Sequence, residues 1–254
     1  MKDDRPTKIW PADIHEAKKI QTVLRDKVKI IPLRKKPQFI AGVDAAFTDD
    51  KVIGVACLFR YDDLTPLEDS HAILNATFPY ISGFLSFREG PAIIAALKKL
   101  KVTPDLILFD GQGIAHPKSM GIASHIGVIL DIPTIGCAKS RLIGEYDEPG
   151  INKGNWSRLK YQGRIVGAVL RTRDNVNSVF VSPGHRVNLA NSIEIVLQCT
   201  GKYRLSEPIR RADQISKELK RRLAGDSDCS FAGFSLRNIS TGKVQGCNDY
   251  FFFL

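Results

Sequence analysis

A short apolar run that stops at a carboxylate most constrains how this chain can fold. The run Leu106–Phe109 (LILF) is followed directly by Asp110 and by the turn Gly111-Gln112-Gly113. A short apolar run bounded by turn signals is typical of a buried strand. In open α/β sheets, binding sites lie beyond the carboxyl ends of the strands. Asp110 is therefore either a functional acid or a residue that merely caps a strand or turn, and the other carboxylates must decide between these roles.

The segments around this run predict a mixed sheet. Met120–Leu130 has a helical period and Thr134–Ala138 is another buried run, so a strand–helix–strand unit with parallel strands is expected. Upstream, Phe39–Phe47 and Val52–Phe59 flank a polar turn and predict a hairpin. Ala72–Phe78 is expected to be the third strand of an antiparallel meander.

Helical spacing of apolar residues recurs in three further segments. An amphipathic helix is expected behind Pro11, and a last helix is expected to start at Pro208. Between them, a helix is expected from Phe87, with Ser86 as its N-cap and Glu89 three residues on, which is the capping-box arrangement.

The remaining segments predict a loop, strands and a tail. Residues 147–157 are polar and rich in glycine, so a loop is expected there. Arg164–Arg171 and Ser178–Val181 predict one or two strands, and Ser182–His185 is expected to open a helix. Residues 1–223 are expected to form one domain and residues 224–254 a tail of unknown role. Its apolar end, Tyr250–Leu254, is expected to pack on the core or, alternatively, to dock a partner.

Charge and cysteine content restrict the class of protein. The 254 residues include 37 Lys and Arg against 27 Asp and Glu, a net charge of +10. Such an excess favours a polyanionic partner such as nucleic acid, although a basic protein without one has the same composition. The five cysteines lack metal-ligand spacing, so we expect reduced thiols and a cytoplasmic protein. The N-terminus has no signal-peptide pattern, and no apolar run is long enough to span a bilayer, so no membrane association is expected.

Three acids in different predicted elements could meet at one edge of the sheet. Asp44 interrupts an apolar strand, Asp110 ends another, and Glu89 lies in the first turn of a helix. Isolated carboxylates are rarely buried without compensation. Together the three would form an all-oxygen site suited to Mg²⁺ or Mn²⁺, which can activate water against a phosphoryl group. The alternative is that these acids cap strands and helices.

Two basic residues could support such chemistry. Lys139 follows the Thr134–Ala138 run and could steady a phosphate or a nucleophilic water; alternatively it is an exposed lysine at a strand end. His116 could support a metal ligand or contact a base; alternatively it is a hydrogen-bonded loop histidine.

Several motifs together resemble the endonuclease V family over residues 10–222. The Gly-Phe-Leu-Ser-Phe-Arg-Glu and Asp-Gly-x-Gly-x-x-His blocks, in this order, are highly specific in combination. The segments that carry the resemblance are Ala41–Asp44, Pro79–Glu89, Asp110–Pro117, Gly121–Gly127, Gly136–Lys139, Ser182–Arg186 and Pro208–Asp213. The chain departs from the family at Ser82, where a second proline is common, at Gln112, where His or Asn is common, and at Lys118-Ser119, where a basic pair is common.

The resemblance implies a fold and an activity. The fold would be an α/β, ribonuclease-H-like mixed sheet, antiparallel strands first and parallel strands later, flanked by helices. The activity would be Mg²⁺-dependent cleavage of DNA containing deoxyinosine at the second phosphodiester bond 3′ to the lesion, leaving 3′-hydroxyl and 5′-phosphate ends. Inosine in RNA is the alternative substrate, and a lesion-binding module without turnover is the alternative class. We expect a monomer.

The resemblance also implies residue roles. Asp44, Glu89 and Asp110 would hold the metal, with Mn²⁺ able to replace Mg²⁺. Asp213 would be a fourth acid, and Lys139 and His116 would support the chemistry. Tyr80 and Ile81 would belong to a wedge that parts the strands beside the lesion. The pocket for the extruded base would be formed by Gly83, Leu85, Gly111, Gly113, Gly121, Ile122 and Leu142.

Overall fold

The computed structural model describes residues 10–225. The predicted tail lies outside this range apart from its first two residues, so the domain boundary near residue 223 stays a prediction. Within the described range, no helix is long and apolar enough to cross a membrane.

The described residues form eight strands and five helices in alternating groups. The strands are β1 Phe39–Phe47, β2 Lys51–Arg60, β3 Pro66–Asn75, β4 Leu106–Phe109, β5 Thr134–Ala138, β6 Trp156–Tyr161, β7 Arg164–Leu170 and β8 Val179–His185. The helices are α1 Ile14–Arg25, α2 Leu85–Leu97, α3 Ile122–Leu130, α4 Leu189–Gln198 and α5 Glu207–Leu223.

All eight strands belong to one sheet, in the order β3-β2-β1-β4-β5-β8-β7-β6. The first three strands form the predicted antiparallel meander, and β1, β4 and β5 run parallel. The predicted mixed sheet flanked by helices is thereby confirmed. The parallel pairing is limited to these three neighbours, because β8, β7 and β6 continue the sheet in antiparallel pairs.

Helices cover both faces of the sheet. On one face, α4 and α5 bury apolar residues such as Ile193 and Ile209 against the inner residues of β1, β2, β4 and β5. On the opposite face, α2 and α3 contribute Ile93 and Ile126 to a second core cluster. The inner strands are buried on both faces, which explains why they are almost continuously apolar in sequence.

One glycine lets α5 lie directly on β1. A Cβ atom built on Gly42 would lie 2.1 Å from the carbonyl carbon of Pro208 and 2.5 Å from the amide nitrogen of Ile209. Only a residue without a side chain permits this approach. Gly42 and Asp44 are two residues apart and share a face of the strand, so the same contact brings α5 over Asp44.

Three expectations from the sequence are corrected by non-local pairing. The third strand is Pro66–Asn75 and not Ala72–Phe78, because it pairs with β2 over that range; Phe78 instead packs beside α1. Ser182–His185 belongs to strand β8, where Ser182 pairs with Gly136, and α4 begins only at Leu189. Strand β6 is not predicted by the sequence: its first two residues fall in the expected loop, and no element is expected over residues 158–161.

The expected capping box at Ser86 is also wrong. Helix α2 begins at Leu85, its N-cap is Phe84, and no side chain caps it. The buried Ser86 hydroxyl lies 2.8 Å from Nδ1 of His125 instead. Because Ser86 is buried, its hydroxyl needs a hydrogen-bond partner within the core, and His125 provides it.

His125 is expected to make the fold sensitive to acid. Its ring is 1% exposed, packs against Phe87 and has no partner at Nε2, and burial lowers its pKa to about 3. At this position the unfolded chain therefore binds a proton that the folded chain does not bind. As a result, the free energy of unfolding falls as the pH drops below about 6.5, by up to about 1.4 kcal/mol per pH unit. Urea unfolding between about pH 7.5 and about pH 5 measures this.

His125→Gln should flatten this dependence while His15→Gln, at an exposed position of α1, should not change it. The contribution of His125 is the difference between the variants in the slope of unfolding free energy against pH, because the other titrating groups contribute equally to each variant. Equal slopes for the native protein and His125→Gln would contradict the prediction.

Candidate active site

Three carboxylates converge where β1 and β4 approach α5. Oxygen atoms of Asp44, Asp110 and Asp213 all lie within 4.8 Å of one another, and each side chain is half-buried. Pairing of Val43 with Phe109 in the parallel strands brings the following residues, Asp44 and Asp110, side by side. Asp213 arrives from α5 over the Gly42 contact. Oxygen-rich clusters of this kind suit Mg²⁺ or Mn²⁺.

Glu89 lies beside this group without being part of it. It is half-buried on α2, and burial, with the negative charges of Asp44 and Asp110, raises its pKa to about 8. The close cluster therefore contains two of the three predicted metal ligands, Asp44 and Asp110, together with Asp213. Glu89, the remaining predicted ligand, lies beside the cluster. The assignment of Glu89 as a ligand stays a prediction.

The cluster carries more negative charge than its surroundings neutralise. Burial raises the pKa of Asp44 to about 6, a hydrogen bond from Ser216 opposes the rise, and the charges of Asp110 and Asp213 add to it. Like charges this close favour protonation of one member or binding of a cation. The donor set and its electrostatics both fit a hard divalent cation.

Two lysines pair with these acids. Nζ of Lys139 lies 2.5 Å from Oδ2 of Asp110 and 2.9 Å from Oδ1 of Asp213. Nζ of Lys217 lies 2.7 Å from Oδ2 of Asp213. Burial alone would raise the pKa of Asp213, but hydrogen bonds from Lys217 and Lys139 outweigh it and the pKa is lowered. The surroundings of Asp213 thus favour its ionised form, whereas those of Asp44 and Glu89 disfavour ionisation.

Sequence reasoning missed two residues of this site, Ser216 and Lys217. The Ser216 hydroxyl donates a short hydrogen bond to Oδ2 of Asp44 and lies 3.0 Å from the carbonyl oxygen of Asp213. Both residues follow Asp213 at the i+3 and i+4 positions, so they share its helix face. That spacing was visible in the sequence and could have identified them once Asp213 was placed.

His116 lies beneath the loop that precedes α2. It is buried, its Nδ1 accepts a hydrogen bond from the Lys118 amide at 3.2 Å, and burial lowers its pKa to about 4 although the Gly83 backbone opposes this. Gly83 has φ +80°, and a Cβ there would meet His116 Nε2 at 3.6 Å. The structure therefore places His116, uncharged, against the loop of the predicted wedge.

The predicted wedge and pocket residues differ in exposure. Tyr80 is 68% exposed and Leu142 is 48% exposed, on the loops before α2 and after β5. Ile81 and Leu85 are half-buried. Ile122 lies against Gly111, where an added Cβ would be 2.8 Å from its Cγ2.

Gly113 and Gly121 have a packing role that needs no ligand. A Cβ on Gly113 would lie 2.1 Å from the carbonyl oxygen of Pro183, and one on Gly121 would lie 2.2 Å from that of Gln112. The Gly113 amide also donates to the Ser182 hydroxyl at 2.8 Å. Their proposed contact with a base stays a prediction, since backbone packing alone requires glycine at both positions.

Comparisons with known proteins find relatives named endonuclease V. Endonuclease V of Geotalea uraniireducens is 48% identical over 216 residues, or 85% of this chain and 92% of that protein. Endonuclease V of Trichormus variabilis is 50% identical over 210 residues, or 82% of this chain and 95% of that protein.

Solved structures show the same likeness. The crystal structure of endonuclease V from Streptomyces avermitilis has a TM-score of 0.81 and 38% identity, and the alignment covers 85% of this chain and 96% of that one. Endonuclease V from Ciona intestinalis, in complex with a 24mer DNA containing an inosine followed by a ribo-adenosine, has a TM-score of 0.73 and 27% identity, covering 83% and 98%.

The sequence model of the Endonuclease V family matches residues 22–214, which include all four acids, His116 and Lys139. This match spans most of the chain and confirms the resemblance found in the motifs. The chain belongs to the endonuclease V family of nucleases.

Proposed function

We propose that this chain is a metal-dependent endonuclease that repairs DNA containing deaminated adenine. It hydrolyses the second phosphodiester bond 3′ to the lesion and leaves 3′-hydroxyl and 5′-phosphate ends. The observation that carries the proposal is the convergence of Asp44, Asp110 and Asp213 within 4.8 Å, in a family whose Ciona intestinalis member binds inosine-containing DNA. A cytoplasmic, monomeric protein remains the expectation.

The metal would be Mg²⁺, with Mn²⁺ able to replace it, held by Asp44 and Asp110 together with Glu89. Carboxylate oxygens are the ligands that these ions prefer. When bound, such an ion supplies Lewis-acid stabilisation of the phosphate and lowers the pKa of a bound water. Glu89 and Asp44 have raised pKa values, so a bound cation would compete with protons at these acids and favour their ionised forms.

The basic side chains would act on the phosphate and on water. Lys139 is fixed between Asp110 and Asp213, where its charge can stabilise the scissile phosphate. Asp213 is kept ionised by Lys139 and Lys217, so it can accept a proton from an attacking water. Ser216 fixes the orientation of Asp44 through its hydrogen bond.

Recognition of the lesion would use the loop before α2. Tyr80 is largely exposed and can stack on a base that loses its neighbour. The extruded hypoxanthine would enter the predicted pocket of Gly83, Leu85, Gly111, Gly113, Gly121, Ile122 and Leu142. Hypoxanthine lacks the exocyclic amino group of guanine, so a tight wall would exclude guanine by size.

A second substrate, inosine in RNA, is favoured by one observation. In the Ciona intestinalis complex, the 24mer DNA contains a ribo-adenosine directly after the inosine, so a ribonucleotide stands beside the lesion there. A binding module without turnover is disfavoured, because four acids at one site repel phosphate unless a cation is bound.

Matched inosine-containing DNA and RNA strands, incubated with and without Mg²⁺, test the proposal. We expect nicking 3′ to the lesion only with the metal, and loss of nicking in Asp44→Asn and Asp110→Asn, because an amide is a poorer ligand for a hard cation. Gel separation of the product ends and of the cut position measures this. The exposed Asp49→Asn is the matched control and should cut normally.

Intact DNA and RNA in the presence of Mg²⁺ would overturn both enzyme assignments. Full activity of Asp110→Asn would remove that residue from the metal site. Preferential cutting of RNA would make it the main substrate.

Glu89→Gln is expected to abolish nicking and yet stabilise the metal-free protein. The folded-state pKa of Glu89 is about 8, above its ordinary value of 4.5. The folded chain therefore holds a proton that the unfolded chain releases, so this group lowers stability progressively as the pH rises from about 4.5 to about 8. Removing it should raise the free energy of unfolding by about 1–3 kcal/mol near pH 8.

Urea unfolding in the presence of a chelator measures this effect. Glu145→Gln, at an exposed position, is the control and should leave stability unchanged. A less stable Glu89→Gln protein at pH 8 would contradict the proposed electrostatic conflict.

Tyr80→Ala should weaken binding to a lesion-containing strand by about 1–3 kcal/mol, because a stacked base loses its platform. Tyr80→Phe keeps the ring and should bind normally. Titration of a labelled inosine strand in Ca²⁺ in place of Mg²⁺, to slow cutting, provides the measurement. Equal affinity of Tyr80→Ala and the native protein would exclude the stacking role.

A further inference from the structure

A basic and aromatic surface extends from the active site toward the free edge of the sheet. We define it as the ledge, formed by Trp156, Arg158, Arg173, Lys202, Tyr203 and Arg204. Trp156 is 45% exposed and Tyr203 is 48% exposed. We propose that the ledge binds a single-stranded segment of the nucleic-acid substrate next to the lesion, by stacking bases on the two rings and pairing phosphates with the four basic side chains. The proposal deepens the function proposed above and rests on it for the identity of the substrate.

Hydrogen bonds join the parts of the ledge into one continuous surface. Trp156 pairs with Leu170, the last residue of β7, and the residues that follow β7 contact the segment before α5. There the Thr172 hydroxyl donates to the carbonyl oxygen of Arg204 at 2.7 Å, and the Arg173 guanidinium donates to that of Lys202.

The ledge faces the same side of the sheet as the acids. Trp156 and Leu170 are directly paired, so their side chains share a face, and Leu170 is part of the core beneath α4 and α5. Asp44 lies on that face too. The surface and the site therefore belong to one side of the molecule.

The ledge also reaches the acids along α5. The Tyr203 ring lies 4.5 Å from the Arg210 guanidinium, one helical turn before Asp213. The charge of Arg204 acts on the thiol of Cys137, the penultimate residue of β5, and Lys139 directly follows that strand. A strand that occupies the ledge thus leads directly to the candidate active site.

Among residues 10–225, no acid forms an ion pair with the four basic side chains of the ledge. Glu207 is paired with Arg210 at 2.7 Å, and Glu148 is paired with Arg171 at 2.8 Å. Arg210 and Arg171 lie outside the ledge, so these two acids neutralise charges other than those of the ledge. Exposed rings interleaved with cations suit a flexible polyanion whose bases are unstacked, which is single-stranded nucleic acid rather than a protein or a duplex.

Binding of a lesion-free oligothymidylate, and of its oligouridylate counterpart, tests the ledge apart from cutting. The variant Trp156→Ala/Tyr203→Ala should bind about tenfold or more weakly, and Trp156→Phe/Tyr203→Phe should retain affinity. Lys202→Ala/Arg204→Ala should reduce the slope of log affinity against log salt by about 1.4, which is about 0.7 for each phosphate contact.

The matched control is Arg34→Ala/Lys35→Ala, which removes two charges beside Pro104 and Pro133, at the opposite end of the parallel strands. It should change neither affinity nor slope. Equal loss in this control and in the ledge variants, or no loss in any ledge variant, would overturn the proposal. If the aromatic variant fails to fold in a thermal melt, the charge variant decides the outcome alone.

The same measurements separate the two proposals. A native protein that does not nick inosine strands, but binds single strands through the ledge, would refute the proposed function and keep the ledge. Nicking by the native protein, together with unchanged single-strand binding in the ledge variants, would support the proposed function and refute the ledge. Preference between the two oligonucleotides would distinguish a DNA flank from an RNA flank.

Discussion

The close approach of α5 to β1 at Gly42 is the contact on which the rest of the site depends. Because a Cβ at Gly42 would overlap the backbone of Pro208, only glycine allows the helix to lie this near the sheet. From that contact, α5 carries Asp213 and Ser216 over Asp44 within about two turns. A wider separation would leave two strand acids in contact with each other but without the helix that supplies their third partner.

Bringing these acids together opposes stability and favours function. Burial, with a further contribution from neighbouring negative charges, raises the pKa of Asp44 and of Glu89, so the folded chain disfavours their ionised forms. The lysines do not relieve this equally. Lys139 and Lys217 both pair with Asp213, and Lys139 also pairs with Asp110, whereas neither lysine pairs with Asp44 or Glu89. A divalent cation would relieve this repulsion between the acids. The free energy that the repulsion costs the metal-free protein would therefore contribute to the affinity for the cation.

The segment after β4 connects the acids to the proposed lesion pocket through a fixed backbone. Asp110 is at its start, Ile122 is at its end, and Gly113 and Gly121 pack between them with no room for a side chain. Close packing of this kind leaves little freedom to move. A base held at Gly111 and Ile122 would therefore lie at a fixed distance from the acids. That distance would explain how the position of the lesion determines which phosphodiester bond is cut. The ledge would extend that fixed path on the side of α5.

Local pattern determined much of this protein, and tertiary contacts decided the rest. The apolar runs of β1, β4 and β5, the amphipathic helices, and the positions of Asp44 within β1 and of Asp110 directly after β4 follow from periodicities that a short window contains. Ser182–His185 and Ser86 were misassigned because their partners, a neighbouring strand and His125, are distant in sequence. The sequence motifs also identified the family. The chain alone could not reveal that Ser216 supports Asp44, because a hydrogen bond across 172 residues exists only once α5 lies on the sheet.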